Sequence, residues 1–314
     1  MAREGVLTDA EKEHFLQHGW IKIKGAFTKQ QAEEMTKDVW VRLGMSPTDK
    51  STWTEKRINM PEHGTFDASE FAPRAWAAAT ELCGGEARIE PACRLWRDTF
   101  IVNLGSEGGV DVPPQDLDGW HVDGDFFVHY LDSPEQGLLI IPLFTDIVEG
   151  GGGTVIAPDA IPTVARHLYE HPEGVSPRMV PRGEPDFEKE KNLDWFNNLA
   201  TSSTQFVEAT GDVGDVYLLH PLMLHSASSN PLRRARIITN PPVLLRAPFC
   251  FNRPDGDYSL VELRTLRALG KEPPLDWEIK APRQRIVPER VKRWEKMKQE
   301  EAQRMEQAKA QAAA

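Results

Sequence analysis

From residue 88 to residue 240, the chain of 314 residues is a succession of short strand-like runs that do not alternate with helical patterns. That order constrains the fold more than any other feature. A parallel α/β sheet needs a helix at each crossover, so it is disfavoured. A closed or sandwiched antiparallel structure with helices packed outside fits better. The runs are 95–103, 137–144, 205–208, 215–219 and 235–239. The second is apolar and bounded by turn residues, as a buried strand would be. Glu149 is followed by four glycines, Gly150 to Gly153, which must form a turn because glycine suits positive φ. A phosphate cradle is a poor reading of that run, since no Lys-Ser/Thr pair or helix start follows it.

Helical signals flank this block. Thr8 with Glu11 and Thr28 with Gln31 are capping boxes. The first precedes Phe15 and Leu16, with Gly19 as C-cap and a half-buried strand at 20–24. The second opens a helix carrying Met35, Val39, Trp40 and Leu43. Residues 45–70 read as turns. A helix through Trp76, Ala78 and Leu82 ends at Gly84 and Gly85. Residues 166–205 are polar and read as an irregular lid or insertion, with a charged cluster near 186–194. Residues 259–269 read as a helix from the spacing of Leu260, Leu263 and Leu266. Residues 288–313 read as a weakly apolar, solvated or frayed helix. The expected organisation is one domain over 1–280, with a helical segment at about 7–85, a β core at about 88–250, and a charged tail over 281–314.

Composition narrows the partners. Hydrophobic residues make up 40% and charged residues 27% of the chain, as in soluble globular proteins. A net charge of -11 argues against a nucleic-acid groove or an anionic membrane as main partner. The first residues have no apolar core of a signal peptide, and no apolar run is long enough to span a bilayer. Three cysteines, with no Cys-x-x-Cys, argue against a disulfide framework or a cysteine zinc site and point to a cytoplasmic setting. The oligomeric expectation is a monomer or homodimer.

The stretch 119–127 carries the chemistry. With nine histidines in the chain, chance alone supplies roughly one His-x-Asp, so the pair His121 and Asp123 means little until its surroundings are added. On a strand, positions i and i+2 face the same side. One imidazole and one carboxylate on one face make two thirds of a 2-His-1-carboxylate triad, which leaves open positions on a non-haem Fe(II). The third ligand must come from elsewhere, and His220 or His225 can supply it. A hairpin centred on Asn230 and Pro231 would set His225 opposite Arg236, where a guanidinium could clamp a carboxylate. His220 would face Pro241. His225 is therefore the chosen ligand, and His220 reads as a buried histidine bonded to backbone. Trp120 and Phe127 read as pocket wall or core and are also the candidate substrate contacts. His129 reads as structural. His171 with Glu173 is a weak competing pair, and Arg97, Arg166, Arg178 and Arg182 are scattered cations.

Together, 210–230 with Arg236, and His121-x-Asp123 followed by the apolar run, the glycine turn and Pro158, resemble the two half-sites of the phytanoyl-CoA dioxygenase family. The likeness spans roughly residues 7 to 270. It implies a mainly β fold with flanking helices, a double-stranded β-helix (cupin-like jelly roll) binding Fe(II) and 2-oxoglutarate and using O₂. It implies His121, Asp123 and His225 as iron ligands and Arg236 as the clamp for the distal carboxylate of 2-oxoglutarate. Asn103 would add a polar contact to the co-substrate. The serine expected two residues after the distal histidine is Ala227 here, with Ser226 and Ser228 on either side, so the clamp would be built differently; Ser226 is the candidate cofactor contact. The implied reaction oxidises a C–H bond of a small molecule, by hydroxylation, desaturation or ring formation, with release of succinate and CO₂. The presence of Asp123 disfavours halogenation. The alternative is a cupin-type metal-binding protein, an isomerase or 2-oxoglutarate sensor, without oxygenase activity.

Overall fold

The computed structural model describes residues 5–189 and 192–313. Met1 to Glu4, Glu190 and Lys191 of the charged cluster, and Ala314 lie outside the described residues. The first helix, α1 (Asp9–His18), starts at the Thr8 capping box and stops at Gly19, whose φ of 73° is left-handed. Strand β1 (Trp20–Ile23) follows directly. The second capping box opens α2 (Lys29–Thr36), but the expected single helix is two, because α3 (Val39–Leu43) is separate. The Thr36 hydroxyl donates back to the Ala32 carbonyl at 2.8 Å, a local bond that competes with helix continuation. The turn-rich region holds more structure than its composition suggests: β2 (Arg57–Asn59), β3 (Thr65–Asp67) and α4 (Ala68–Phe71). Helix α5 (Pro73–Leu82) buries Ala75, Trp76, Ala78, Ala79 and Leu82.

The run 95–103 is not one strand. It splits into β4 (Leu95–Arg97), paired with β3, and β5 (Ile101–Asn103), paired with β2. The break comes at Asp98, whose carboxylate accepts from the backbone of His63 and Gly64 and pairs with Arg42. The remaining strands are β6 (Leu138–Pro142), β7 (Thr154–Ala157), β8 (Val207–Ala209), β9 (Val216–Leu219), β10 (Leu224–Ala227), β11 (Arg236–Ile238) and β12 (Pro242–Val243). They form sheets ordered β1-β9-β6-β12, β10-β7-β8 and β11-β5-β2, besides the β3-β4 pair. Every pairing between these strands is antiparallel. All residues of β6, β7, β9 and β11 are buried, which is why these segments read as continuous apolar runs rather than alternating ones. Helices nevertheless carry more residues than strands, so the fold is mixed α/β rather than mainly β.

Two other expectations are corrected. The supposed lid contains α6 (Ile161–Glu170, beginning upstream of it) and α7 (Asp194–Ser202). Ile161, Val164, Ala165 and Leu168 are all buried, an i, i+3, i+4, i+7 stripe that the polar residues around it obscure. Helix α8 (Leu260–Leu269) starts at a Ser259–Glu262 capping box and ends at Gly270. The last helix, α9 (Arg290–Ala313), is docked, not frayed. Its Glu301 is 1% exposed and accepts from Arg42 at 2.9 Å and pairs with His63 at 3.0 Å. Trp294 of the same helix donates to the Asn59 carbonyl. A charged helix can be held by a few buried ion pairs, which an apolar count does not register.

Candidate metal centre

His121 and His225 form an isolated antiparallel bridge. The His121 N–H donates to the His225 carbonyl at 3.0 Å, and the return bond is 2.9 Å. This narrow pairing sets the two imidazoles side by side, with centroids 4.3 Å apart. Each ring is then turned by its own backbone. His121 Nδ1 donates to the Gly119 carbonyl at 2.8 Å and His225 Nδ1 to the Met223 carbonyl at 3.0 Å. A carbonyl can only accept, so Nδ1 carries the proton and the lone pair lies on Nε2. Both Nε2 atoms stand 3.5 Å from Asp123 Oδ1. The second carboxylate oxygen, Oδ2, accepts from Asn240 Nδ2 at 3.1 Å.

The three ligand atoms lie within 4.8 Å of one another. Metal–ligand bonds of about 2.1 Å put donors on one octahedral face about 3 Å apart, so the arrangement needs little movement to hold one ion. Burial disfavours charge on Asp123 and on His225; the hydrogen bonds of both imidazoles outweigh it for the carboxylate, and the Asp123 contact outweighs it for His225, whose extra proton a metal ion would displace. Asp123 is held well below its ordinary 3.8, and His225 is raised above its ordinary 6.5. An ionised carboxylate facing two imidazole lone pairs is a set of donors for a divalent cation, and two nitrogens with one oxygen suit iron.

Arg236 reaches this region by a different route from the one expected. No hairpin pairs it with His225: β10 pairs with β7, placing His225 opposite Ile156, while Arg236 on β11 lies opposite Asn103 of β5. The turn through Asn230 carries the chain from one sheet to another. Asn230 Nδ2 donates to the carbonyls of Asn103 and Arg234, tying the crossing down. Arg236 is 2% exposed. Its Nε donates to the Gly152 carbonyl at 2.6 Å and Nη1 to the Ile101 carbonyl at 3.2 Å. Burial, reinforced by the charge of Arg57, pushes its pKa down to about 9.

Arg57 is a residue that the sequence reading missed. On β2 it sits opposite Asn103, so Arg236, Asn103 and Arg57 line up across three strands and share one sheet face. The Arg57 Nη2 is 3.9 Å from where a Cβ on Gly119 would stand, beside the backbone that anchors His121. Among the described residues the Arg57 side chain makes no hydrogen bond or ion pair, and Arg236 Nη2 has no partner. Glu208, the carboxylate nearest in charge, is already engaged. It accepts from Gly150 N, Gly153 N and the Ser228 hydroxyl. Among the described residues neither guanidinium is ion-paired, and the charge of Glu208 attracts Arg236 without contact.

The other candidates take these places. Asn103 is engaged with the backbone: its amide donates to the carbonyls of Gly152 and Ser228 and accepts from Gly105 N. It holds the glycine turn and the 228–230 crossing rather than offering a free group to a co-substrate. Gly152 has φ 79°, and a Cβ there would lie 2.5 Å from Asn103 Nδ2, so the turn requires glycine at this point. Ser226 is buried on β10 with its Oγ 3.0 Å from the position of a Gly119 Cβ. Trp120 takes the core reading given for it: fully buried, it donates to the Pro114 carbonyl and packs on Phe206. Phe127, 1% exposed, stacks on His129 and lines a small cavity with Asp123. His129 bonds the Gly124 carbonyl, and burial lowers its pKa to about 4. His220 is enclosed. Its Nδ1 accepts from Leu222 N and its Nε2 donates to Thr265 Oγ1 at 2.9 Å. His171 and Glu173 contact each other at 2.7 Å, outside the metal group.

A cavity of about 440 Å³ opens beside Asp125, two residues beyond Asp123. Its walls are the segments 176–178, 187–189 and 284–290. The last of these is fastened to the motif: Val128 N donates to the Gln284 carbonyl, Ile286 N to the Phe126 carbonyl, and Arg290 pairs with Asp125 at 2.6 Å. The motif therefore runs from Gly119, beside Arg57, through the ligands, to the cavity at Asp125.

No family model matches the chain, and no curated protein matches it in sequence. Solved structures do match. EctD from S. alaskensis with bound Fe is 14% identical, with 90% of each chain covered and a TM-score of 0.45. The epimerase SnoN, in complex with Fe3+, alpha ketoglutarate and nogalamycin RO, is 13% identical over 90% of this chain and 96% of that one, with a TM-score of 0.39. HygX from Streptomyces hygroscopicus, with nickel, 2-oxoglutarate and hygromycin B bound, is 12% identical over 74% and 85%, with a TM-score of 0.40. Likeness at this level carries no function, which has to be argued from the side chains.

Proposed function

We propose that the chain is an Fe(II)- and 2-oxoglutarate-dependent oxygenase of the phytanoyl-CoA dioxygenase type. It would oxidise a C–H bond of a small molecule and release succinate and CO₂. The observation that carries this is the joint presence of a His-Asp-His ligand set and two neighbouring arginines, Arg236 and Arg57, that pair with no carboxylate among the described residues. The antiparallel sheets that hold them are read as a double-stranded β-helix. His121, Asp123 and His225 would hold the iron, which when bound supplies the activation of O₂ coupled to decarboxylation of the co-substrate. Arg236 would bind the distal carboxylate of 2-oxoglutarate. Its guanidinium is pre-oriented by Gly152 and Ile101, so little ordering entropy is lost on binding. Arg57 adds charge from the exposed side. The departure at Ala227 fits this reading: the second contact to the carboxylate would come from Arg57 rather than from a serine on β10. Ser226 stays a candidate contact on the same wall.

The small-molecule substrate would enter the cavity beside Asp125, with the segment 284–290 as one wall. Among the described residues no helix is long and apolar enough to cross a membrane. Cys83, Cys93 and Cys250 are free thiols, which suits a reducing, cytoplasmic compartment.

The test is an anaerobic titration of apo-protein with Fe(II), then 2-oxoglutarate, followed by admission of O₂ and assay of succinate. A weak visible charge-transfer band is expected in wild type and absent in His225→Ala, with slow succinate release in wild type alone. Metal binding without band or succinate would favour the non-oxygenase cupin reading and sink this one.

A further inference from the structure

Each ligand of the triad has one atom turned toward the shared centre and one atom held elsewhere. For the two histidines the holder is a main-chain carbonyl, at Gly119 and Met223, which no substitution removes. For Asp123 the holder is a side chain, Asn240, whose Nδ2 donates to Oδ2 at 3.1 Å. Asn240 follows the end of β11 by two residues, on the segment that also delivers Arg236. One stretch of five residues thus reaches both the arginine pair and the carboxylate ligand.

We infer that Asn240 is a positioning residue that confines Asp123 to one-oxygen coordination and so keeps metal positions open for co-substrate and O₂. This rests on the metal reading above. A carboxylate can ligate through one oxygen or both. Here Oδ1 already faces both imidazoles at 3.5 Å, and Oδ2 is drawn aside by an amide that can donate but cannot ligate from Nδ2. Outer hydrogen bonds of this kind orient ligands and tune metal affinity. If the amide is removed, Oδ2 is free to swing onto the metal or to turn the whole carboxylate away. A negative charge in its place would repel Asp123.

The experiment is a Co(II) titration of the purified full-length protein, followed by the visible d–d spectrum, on wild type, Asn240→Leu, Asn240→Asp and Asp123→Ala. Leucine matches asparagine in shape without the donor. Wild type is expected to bind one Co(II), and Asp123→Ala to lose it. Asn240→Leu is expected to weaken binding roughly 10- to 100-fold and to change the band intensity, which reports coordination number. Asn240→Asp is expected to be weaker still. If Asn240→Leu does not fold, Asn240→Ser is scored by the same affinity and spectrum. A Co(II) affinity within twofold of wild type and an unchanged spectrum in folded variants would overturn the inference while leaving the metal site standing. Absence of stoichiometric Co(II) binding in wild type would overturn both.

Discussion

At the scale of residues, the site is a matter of which atoms are already occupied. His220 and His225 are five positions apart, yet only one is free to ligate. His220 spends both ring nitrogens on Leu222 and Thr265, while His225 spends only Nδ1. The same accounting separates Asn103, whose amide donors are both taken by backbone carbonyls, from Arg57 and Arg236, which keep donors free. If the two arginines share one anion, their effects on it must be coupled. Arg236→Ala should weaken 2-oxoglutarate binding by about 1.5–3 kcal/mol, the range for hydrogen bonds to charged groups. Arg57→Ala should weaken it less, because Arg57 is exposed. The double variant should depart from additivity by more than about 0.5 kcal/mol. Calorimetric titration of 2-oxoglutarate into the four proteins checks this, and additive losses would mean two independent sites.

At the scale of elements, capping and glycine chemistry explain where helices end, and buried polar pairs explain how they dock. The capping boxes of α1 and α2 were legible in the sequence because each is contained in four neighbouring residues. The docking of α9 was not, since its anchor joins Glu301 to Arg42, 259 positions away. That anchor is testable. Removing the Glu301 carboxylate leaves the buried Arg42 guanidinium short of one partner. The expected cost of Glu301→Ala is about 3 kcal/mol, the low end for a broken buried pair, because Asp98 still faces Arg42. Urea unfolding measures it. A change below about 0.5 kcal/mol would mean that α9 contributes little to the fold.

At the scale of the whole molecule, stability should depend on acid through histidines that the fold keeps neutral. Burial lowers the pKa of His220 to about 3, below its ordinary 6.5. Above 6.5 neither the folded nor the unfolded chain is protonated there, so that group adds no pH dependence. As pH falls below 6.5 the unfolded chain takes up the proton and the folded one does not, so stability drops until about pH 3. The slope reaches about 1.4 kcal/mol per pH unit for one such group. Urea unfolding of apo-protein between pH 7 and 5 should show this loss, and His220→Gln should flatten it. Equal slopes in the two proteins would show that His220 titrates normally in the folded state. Metal-free protein is the right material, because ion release by His121 and His225 would add its own acid dependence.

The sequence by itself determined the antiparallel character of the strands, the ends of α1 and α8 and the chemical types of the ligands. Those follow from local patterns: capping residues within a turn and glycines where φ must be positive. The strand geometry expected for His121-x-Asp123 is replaced by an isolated bridge at His121 and a bend at Asp123. Only the tertiary structure decided which strands adjoin. It paired His225 with His121, set Arg236 and Arg57 on either side of Asn103, and brought Asn240 to Asp123. A strand's pattern says which face is buried but not which neighbour covers its edge. That choice is made by long-range packing and by single hydrogen bonds, such as those of Asn230, that have no periodicity to read.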